Sequence, residues 1–306
     1  MSLLRSLLPL CTLLAATGAS AQRAAPTSQS PRTPGRILVS GYDSNAIHAY
    51  RAFDGAPRGK AAPVGGAQSV VVGPDGLLYG CAEKADRVLQ IDPDSLETLG
   101  AFVFDDPGTP LDETGGLDNP TAAVFGRDGK LYVASFETDA ILRYDGATGA
   151  FLDVFVATGS GGLNGPDAGT KFGPDGHLYV PSYWNHRVLR YDGATGAALG
   201  ALIAPQAGGL RNPRDVVFKN GFVYVASSGN NRVLKYDSAG TAIGIFCTTS
   251  VPYSLAFHPD DRELYVVSLT NDNVNVFDGE TGVFLRKVVQ NGSAGLGGAT
   301  FLLLLP

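Results

Sequence analysis

Short apolar segments separated by turns run along the chain from residue 36 to its end. Segments such as 121–125, 222–227 and 232–236 are rich in Val, Leu, Tyr and Phe, which favours strands over helices at this length. The turns carry Pro-Asp-Gly, Asn-Gly or Asp-Gly-Ala-Thr-Gly, in which Asp caps backbone N–H groups and Gly accepts a positive φ. The pattern predicts units of four strands: an apolar first strand, a tight turn, a second strand, a polar loop, a third strand, an Asp-Gly turn and a fourth strand.

This unit repeats along the chain. Its second strand follows an Asp-Gly or similar turn and carries a tyrosine, and these tyrosines are Tyr79, Tyr132, Tyr179, Tyr224 and Tyr265. Its third strand ends in Asp, as at 187–192 and 232–237. Successive units lie about 40–50 residues apart, which is the spacing of the four-stranded blades of a β-propeller.

A sixth unit is divided between the two ends of the chain. Residues 37–40 match a second strand and residues 46–50 a third strand, but no first strand precedes them. The final apolar segment, 298–303, resembles a first strand without the rest of its unit. We therefore predict that the C-terminal strand completes the N-terminal blade, which closes the ring and removes two exposed sheet edges. The predicted fold is an all-β, six-bladed propeller of four-stranded antiparallel blades over residues 36–306.

The repeat resembles the NHL repeat. The resemblance rests on Asn-Pro-x-x-x-Val-Phe at 212–218, Asn-Gly-x-Val-Tyr-Val-Ala-Ser at 220–227 and Asn-Asn-Arg-Val-Leu-Lys-Tyr-Asp at 230–237. It covers residues 65–290 well and the terminal blade weakly. NHL propellers include adhesive, scaffolding, RNA-binding and enzymatic members, so the resemblance implies the fold and does not select a function.

The N-terminal segment has the organisation of a secretory signal. Arg5 is followed by an apolar run at 7–16 that is too short to span a bilayer, and Ala-Ser-Ala at 19–21 is a typical cleavage site. We expect a signal peptide over residues 1–21, cleaved near its last alanine, Ala21. A disordered leader rich in Pro, Ser and Thr then covers residues 22–35. The mature chain is expected to be secreted or periplasmic, with no membrane span.

Cysteine usage is sparse. Cys11 lies in the signal segment, where lipidation is a rival interpretation that the bulky Leu10 disfavours. Cys81 and Cys247 remain after cleavage. The repeat places them in blades on opposite sides of the ring, too far apart for a disulfide, so we expect two buried free thiols.

Composition narrows the classes of function. The 306 residues carry a net charge of −6 without a basic patch, so the electrostatic attraction that dominates nucleic-acid binding is missing. With 44% hydrophobic and 17% charged residues, the chain fits a single all-β domain. We expect a monomer with no cofactor and no nucleic-acid partner.

The two faces of a propeller differ in what they offer a ligand. The turns between first and second and between third and fourth strands share one face, and their sequences are structural. The loops between second and third strands and between blades share the other face, here called the loop face, and they vary in length and chemistry. This face is predicted to carry Tyr42, Phe136, Tyr183, Trp184, His186 and Tyr253.

Other candidate residues fall near the central channel. Counting along the first strands places there Gln68, Thr121, Arg214, Asp215, Tyr253 and Ser254. The connection 105–118 adds Asp105, Asp106, Asp112, Glu113 and Asp118, an expected acidic lid or rim. The structural alternative is that the aromatic residues pack between blades and that the acidic connection is merely solvated.

Two classes of propeller enzyme are alternatives. Gluconolactonase-like enzymes hold a divalent metal in the channel with Glu, Asn and Asp, whereas the corresponding positions here offer Asp215 as the only carboxylate, with Asp167 offset by one residue. The amidating lyase of peptide-hormone processing holds zinc through histidines, and the four histidines of this chain do not converge on the predicted topology. We therefore predict no catalytic residues and no metal site.

The sequence thus predicts an exported binding or interaction module that uses the loop face and the channel mouth. Its partner would be a small molecule, a glycan, a peptide or an envelope protein. The predicted ligand-binding residues are Gln68, Tyr183, Trp184, His186, Arg214, Asp215 and Tyr253. Arg214 and Asp215 would fix a polar or charged group, and the aromatic residues would stack on it. A small-molecule hydrolase or lyase with its site at the same channel mouth is the alternative.

Overall fold

The computed structural model describes residues 35–106, 112–260 and 262–306. The predicted signal peptide, Cys11 and all of the predicted leader except Gly35 lie outside these residues. Within them the chain forms six four-stranded sheets, and every pairing is antiparallel apart from one isolated bridge. The predicted six-bladed propeller is confirmed. No helix in the described ranges is long and apolar enough to cross a lipid bilayer.

The strands follow one another in chain order, four to a blade. Blade 1 contains β1 (Arg36–Gly41), β2 (Ala46–Arg51) and β3 (Pro57–Ala61). Blade 2 contains β4 (Ala67–Val72), β5 (Leu78–Ala82), β6 (Arg87–Ile91) and β7 (Thr98–Val103). Blade 3 contains β8 (Pro120–Phe125), β9 (Leu131–Ser135), β10 (Ala140–Tyr144) and β11 (Phe151–Val156). Blade 4 contains β12 (Lys171–Phe172), β13 (Leu178–Ser182), β14 (Arg187–Tyr191) and β15 (Ala198–Ile203).

Blade 5 contains β16 (Pro213–Lys219), β17 (Phe222–Ser227), β18 (Arg232–Asp237) and β19 (Ala242–Thr248). Blade 6 contains β20 (Pro252–Phe257), β21 (Glu263–Ser268), β22 (Asn273–Asp278) and β23 (Phe284–Val289), and β24 (Ala299–Leu305) follows. The helical segments of the described chain are single 3-10 turns at Glu83–Ala85, Ser160–Gly162, Ala207–Gly209, Ser228–Asn230 and Ser293–Gly295.

The ring closes through the last strand, as predicted. β24 pairs with β1 in the order β24-β1-β2-β3, so the C-terminus supplies the innermost strand of blade 1. The register runs from Arg36 opposite Leu305 to Ser40 opposite Phe301. The N–H of Gly35 extends the ladder by donating to the carbonyl of Leu305 at 2.7 Å. Pairing of both chain ends in one sheet leaves no open edge at the junction.

The tyrosine that recurs in the second strands packs between two neighbouring blades, as Tyr79 and Tyr132 show. Tyr79 meets Phe102 of its own blade and Phe125 of the next, both edge-on with ring centroids 4.9 Å apart. Tyr132 repeats this arrangement with Phe155 and Phe172. Edge-to-face contacts of this kind add to the apolar area buried between blades. Sequence periodicity therefore reports the blade-to-blade packing directly.

The two remaining cysteines are buried free thiols, as expected. Cys81 lies in β5 of blade 2 and Cys247 in β19 of blade 5, so three blade positions separate them around the ring. Burial raises the pKa of each thiol to about 12, which keeps both in the unreactive protonated form.

The innermost strands carry irregularities that direct side chains toward the channel. The pairing register shifts between Ala67 and Val70, between Pro213 and Val216, and between Pro252 and Leu255. Each shift is a bulge, which leaves residues outside the ladder and re-aims their side chains. The bulged residues include Gln68, Arg214 and Tyr253, so three of the residues predicted near the channel are there because of a backbone feature that the repeat shares.

Candidate functional site

One cavity of about 570 Å³ opens on the loop face at the mouth of the channel. Five of the seven predicted ligand-binding residues line it, and these are Gln68, Tyr183, Trp184, Arg214 and Tyr253. Its wall is completed by Tyr42, Asp43, Glu83, Thr121, Phe136, Leu269, Thr270, Asp272, Gly298 and Thr300. A concave site of this size with aromatic walls and a few convergent polar groups is typical of small-ligand sites.

Arg214 occupies the centre of the polar floor. Its guanidinium packs against two tyrosine rings, 3.9 Å from the ring centroid of Tyr183 and 4.5 Å from that of Tyr253. Its Nη1 donates to Oδ2 of Asp167 at 2.6 Å and to the hydroxyl of Tyr253 at 3.0 Å. Two stacked rings and a bound carboxylate fix the side chain in a single orientation.

Asp167 reaches Arg214 because blade 4 departs from the repeat. β12 has only two residues, and the preceding segment forms a bridge from Gly169 to Asp215 of blade 5. A side chain at 169 would meet the Cα of Asp215 at 2.2 Å, so only glycine fits this close approach. The sequence comparison between blades left Asp167 one residue out of step. That extra residue belongs to this irregular segment, which brings the fully buried carboxylate of Asp167 to Arg214.

A hydrogen-bonded chain continues from Arg214 across the floor. The hydroxyl of Tyr253 donates to Oε1 of Gln68 at 3.2 Å, and Nε2 of Gln68 donates to Oε2 of Glu83. The chain links blades 4, 5, 6 and 2. Because every member after Arg214 is held by its neighbour, the polar floor is preorganised before any ligand arrives.

Burial shifts the ionisation of these groups. It raises the pKa of Glu83, Asp167 raises it further, and Gln68, Tyr42 and Arg214 act in the opposite direction. It also raises the pKa of Asp167, against the opposing charge of Arg214. Burial alone would lower the pKa of Arg214, but Asp167 and the two tyrosines raise it overall, so the guanidinium stays charged.

One wall of the cavity is aromatic. Tyr183 and Trp184 meet edge-on with ring centroids 4.6 Å apart, and Phe136 of blade 3 lies 6.4 Å from Trp184. Trp184 remains 57% exposed although it belongs to this cluster. Gly165 supports the wall from behind, at φ +67°, because a Cβ there would lie 2.9–3.0 Å from Trp184 and Phe136. These rings thus form a preformed surface that still faces solvent.

The opposite wall is acidic. Asp43 lies on the loop of blade 1, Glu83 on that of blade 2 and Asp272 on that of blade 6. These three blades are consecutive around the closed ring, whereas Phe136 and Trp184 belong to blades 3 and 4. Sequence reasoning placed Tyr42 on this face but missed Glu83, Asp43 and Asp272, because the single-turn loop that contains Glu83 does not resemble a site motif.

Asp215 does not line the cavity. It is fully buried, and its carboxylate accepts hydrogen bonds from the backbone N–H of Leu255 at 2.8 Å and from the Ser254 hydroxyl at 3.1 Å. Lys171 pairs with its other oxygen at 2.7 Å. The side chain therefore joins blades 4, 5 and 6 at the channel wall, beneath the position that the sequence analysis assigned to it.

His186 also lies outside the cavity lining. Its backbone adopts φ +56°, and its Nδ1 accepts a hydrogen bond from the N–H of Asn212 at 3.0 Å. This contact crosses from blade 4 to blade 5. The imidazole is thus engaged in holding two blades together on the loop face.

The acidic connection 105–118 lies only partly within the described residues. Its described carboxylates do not line the cavity, and Asp112 accepts hydrogen bonds from the N–H and hydroxyl of Thr114 at 2.9 and 2.7 Å, as expected of a turn. Residues 107–111 fall outside the description. Among the described His, Cys, Asp and Glu side chains, no three lie together in a way that would hold a metal ion.

Comparison with known proteins shows the fold. The chain is similar to the β-propeller in the crystal structure of the nidogen/laminin complex, with 13% identity, a TM-score of 0.66, and coverage of 87% of this chain and 97% of that one. It is also similar to a protein of unknown function from Bacteroides caccae, with 14% identity, a TM-score of 0.65, and coverage of 88% and 98%. No protein-family model and no curated protein sequence matches.

Proposed function

We propose that this chain is an exported binding module of the NHL-repeat type whose ligand occupies the channel-mouth cavity. The observation that carries the proposal is the joint lining of one cavity by a fixed Arg214, a hydrogen-bonded polar floor and an exposed aromatic wall. Rings that stay open to solvent while their positions are fixed provide contact area at a low cost in conformational entropy.

The conformational restraint at Arg214 supports binding over a purely structural role. A buried ion pair is costly to desolvate and contributes little net stability compared with apolar residues of similar size. Arg214 nonetheless lines a cavity of about 570 Å³, while its partner Asp167 is fully buried. Polar groups whose orientation is already fixed by hydrogen bonds, as Nη1 of Arg214 is, give a ligand specificity without a reorganisation cost.

Trp184 provides a direct test, because it is the only tryptophan among the 306 residues and it lines the cavity. The mature protein would be titrated with amines, carboxylates, sugars and short peptides while tryptophan emission and the melting temperature are followed. A ligand in the cavity is expected to change the emission saturably and to raise the melting temperature through mass action. If no compound class does either, the proposed function is rejected.

A matched control separates cavity binding from non-specific quenching. The double variant Trp184→Phe with Phe284→Trp moves the only tryptophan to the outer strand of blade 6, where Phe284 is 54% exposed against 57% for Trp184. A cavity ligand is expected to leave the emission of this variant unchanged. Equal responses from both proteins would show that the signal does not arise in the cavity.

A further inference from the structure

We infer that the cavity selects an organic cation, an ammonium or related group attached to an apolar body. This inference rests on the proposed function and names the class of ligand for the same site. It follows from the charges that line the cavity, from the way its single lining cation is neutralised, and from the separation of its acidic and aromatic walls.

The lining carries more negative than positive charge. Asp43, Glu83 and Asp272 are carboxylates on the wall, and Arg214 is the only cationic residue among the described residues of the lining. Lys84 lies at the rim, with its Nζ 4.1 Å from the ring centroid of Tyr42 and 3.1 Å from the Tyr42 carbonyl oxygen, so it is engaged outside the floor. A site with low-dielectric walls and a carboxylate excess concentrates cations.

Arg214 does not offset this excess. Its charge is paired with Asp167 at 2.6 Å, and the rings of Tyr183 and Tyr253 pack against its guanidinium. An incoming anion would have to compete with Asp167 for Arg214. It would also approach the negative charge of Glu83, which is close enough to both residues that each of them shifts its pKa. The geometry that fixes Arg214 thus disfavours an anionic ligand.

Glu83 is the carboxylate best placed to meet a cation. Burial raises its pKa, so its negative charge is poorly solvated in the free protein. Its carboxylate accepts from Gln68 and interacts with the Tyr42 hydroxyl, and its remaining lone pairs leave capacity for a further donor. A ligand ammonium that donates to Glu83 would stabilise this charge and would gain a charge-assisted hydrogen bond in return.

The positions of the walls suggest the shape of the ligand. The acidic residues belong to blades 6, 1 and 2, and the rings of Phe136, Tyr183 and Trp184 belong to blades 3 and 4. In a ring of six blades, blade 1 lies opposite blade 4. A molecule with a cationic end and an apolar end would therefore place each end against its matching wall, and the rings would add cation–π attraction wherever the cation approaches them.

The test uses three compounds of one shape and different charge. Phenethylamine, 2-phenylethanol and phenylacetate would be titrated into the mature protein, with Trp184 emission and calorimetry as readouts. Phenethylamine is expected to bind at least about tenfold more tightly than the alcohol, and phenylacetate more weakly than the alcohol. N-acetyl-lysine methylamide is titrated as a fourth compound to identify the source of the ammonium group. Tighter binding of this compound would indicate a lysine side chain of a peptide, and tighter binding of phenethylamine would indicate a free amine.

Variants identify the carboxylate that is responsible. Glu83→Gln keeps the shape of the side chain and a partner for Gln68, and it is expected to weaken phenethylamine binding about tenfold with little effect on the alcohol. Glu280→Gln makes the same charge change on the opposite face, where Glu280 is exposed, and is expected to leave binding unchanged. If Glu83→Gln does not fold, the exposed Asp43→Asn takes its place with a smaller expected loss.

The outcomes distinguish this inference from the function on which it depends. Equal affinity for the amine and the alcohol, or a preference for phenylacetate, overturns cation selection but leaves the cavity as a binding site. Binding of a sugar in the cavity while all three compounds fail has the same consequence. If no compound class binds there at all, the proposed function itself fails.

Discussion

The Nδ1 atom of His186 accepts a hydrogen bond from the backbone N–H of Asn212 at 3.0 Å and thereby connects blade 4 to blade 5. Every other blade junction has the same contact with an amide or carboxylate oxygen in place of the imidazole. These acceptors are Asn45, Asp86, Asp139, Asn231 and Asp272, and each precedes a third strand at positive φ. The six contacts form a closed belt on the loop face, because each one joins a blade to the next.

This belt predicts how His186 responds to substitution. His186→Asn is expected to leave the free energy of unfolding nearly unchanged, because asparagine fills this role at 45 and 231 and tolerates the left-handed backbone. His186→Ala removes the acceptor and puts at φ +56° a residue that tolerates the left-handed backbone less well than histidine or asparagine, so we expect a loss of about 1–2 kcal/mol in urea unfolding. Equal losses in the two variants would contradict a role in the belt.

The interpretation of His186 shows what sequence patterns leave out. Periodicity located the blades, the tyrosines between them and the divided blade, because each of these depends on residue types that recur at a fixed spacing. A histidine next to Tyr183 and Trp184 suggested a ligand-binding cluster. Its equivalence to Asn45 and Asp139 becomes visible only when the hydrogen bonds are traced from blade to blade.

The channel floor was predictable in its residues but not in its pairing. The sequence placed Arg214 beside Asp215, yet alternation and the bulge of β16 direct these neighbours to different surroundings. Arg214 instead pairs with Asp167, which lies one residue away from the equivalent position when the blade sequences are aligned. Glu83 was missed because its approach to Gln68 depends on a loop conformation rather than on strand spacing.

Removal of the last strand tests the closed ring. Deletion of residues 298–306 takes β24 from blade 1 and exposes the edge of β1, whose ladder to β24 extends from Arg36 to Gly41. We expect aggregation or a large fall in melting temperature, because an unpaired apolar edge recruits other chains. Size-exclusion chromatography with Leu303→Val as the control would check this, since valine keeps the strand. A truncated protein that stays monomeric with an unchanged melt would contradict closure by β24.

His48 predicts a dependence of stability on acid. Its side chain is fully buried in β2, and burial, with a smaller effect of Lys60, lowers its pKa to about 4. The unfolded chain therefore binds a proton at higher pH than the folded chain, so the stability associated with neutral His48 is present above the ordinary histidine pKa and is lost as the pH falls from about 6.5 toward 4.

The measurement compares the native chain with His48→Gln, which does not titrate. The native chain is expected to lose about 2–3 kcal/mol relative to the variant between about pH 7.5 and pH 4.5, in chemical unfolding at constant ionic strength. The comparison cancels the carboxylates that the two proteins share. Parallel stability curves would show that His48 keeps an ordinary ionisation in the folded chain.

The opposite pKa shifts of Glu83 and Glu263 predict opposite effects of a Glu→Gln substitution on thermal stability. Burial raises the pKa of Glu83, whereas the hydrogen bonds from Arg286 lower that of Glu263. For Glu83 the folded chain binds a proton more readily than the unfolded chain, so its contribution to stability falls as the pH rises from its ordinary pKa toward the raised one. For Glu263 the contribution is present above its ordinary pKa and is lost as the pH falls toward the lowered one.

At neutral pH we therefore expect Glu83→Gln to maintain or raise the melting temperature and Glu263→Gln to lower it. Differential scanning calorimetry at pH 4 and pH 7.5 would show each effect becoming smaller in acid, because Glu83 takes up a proton and the pH approaches the lowered pKa of Glu263. A fall in melting temperature for Glu83→Gln at pH 7.5 would mean that the charge of Glu83 stabilises the fold. A carboxylate that lowers stability and lines a cavity fits a group that serves ligand binding, because stability and function commonly trade off at functional sites.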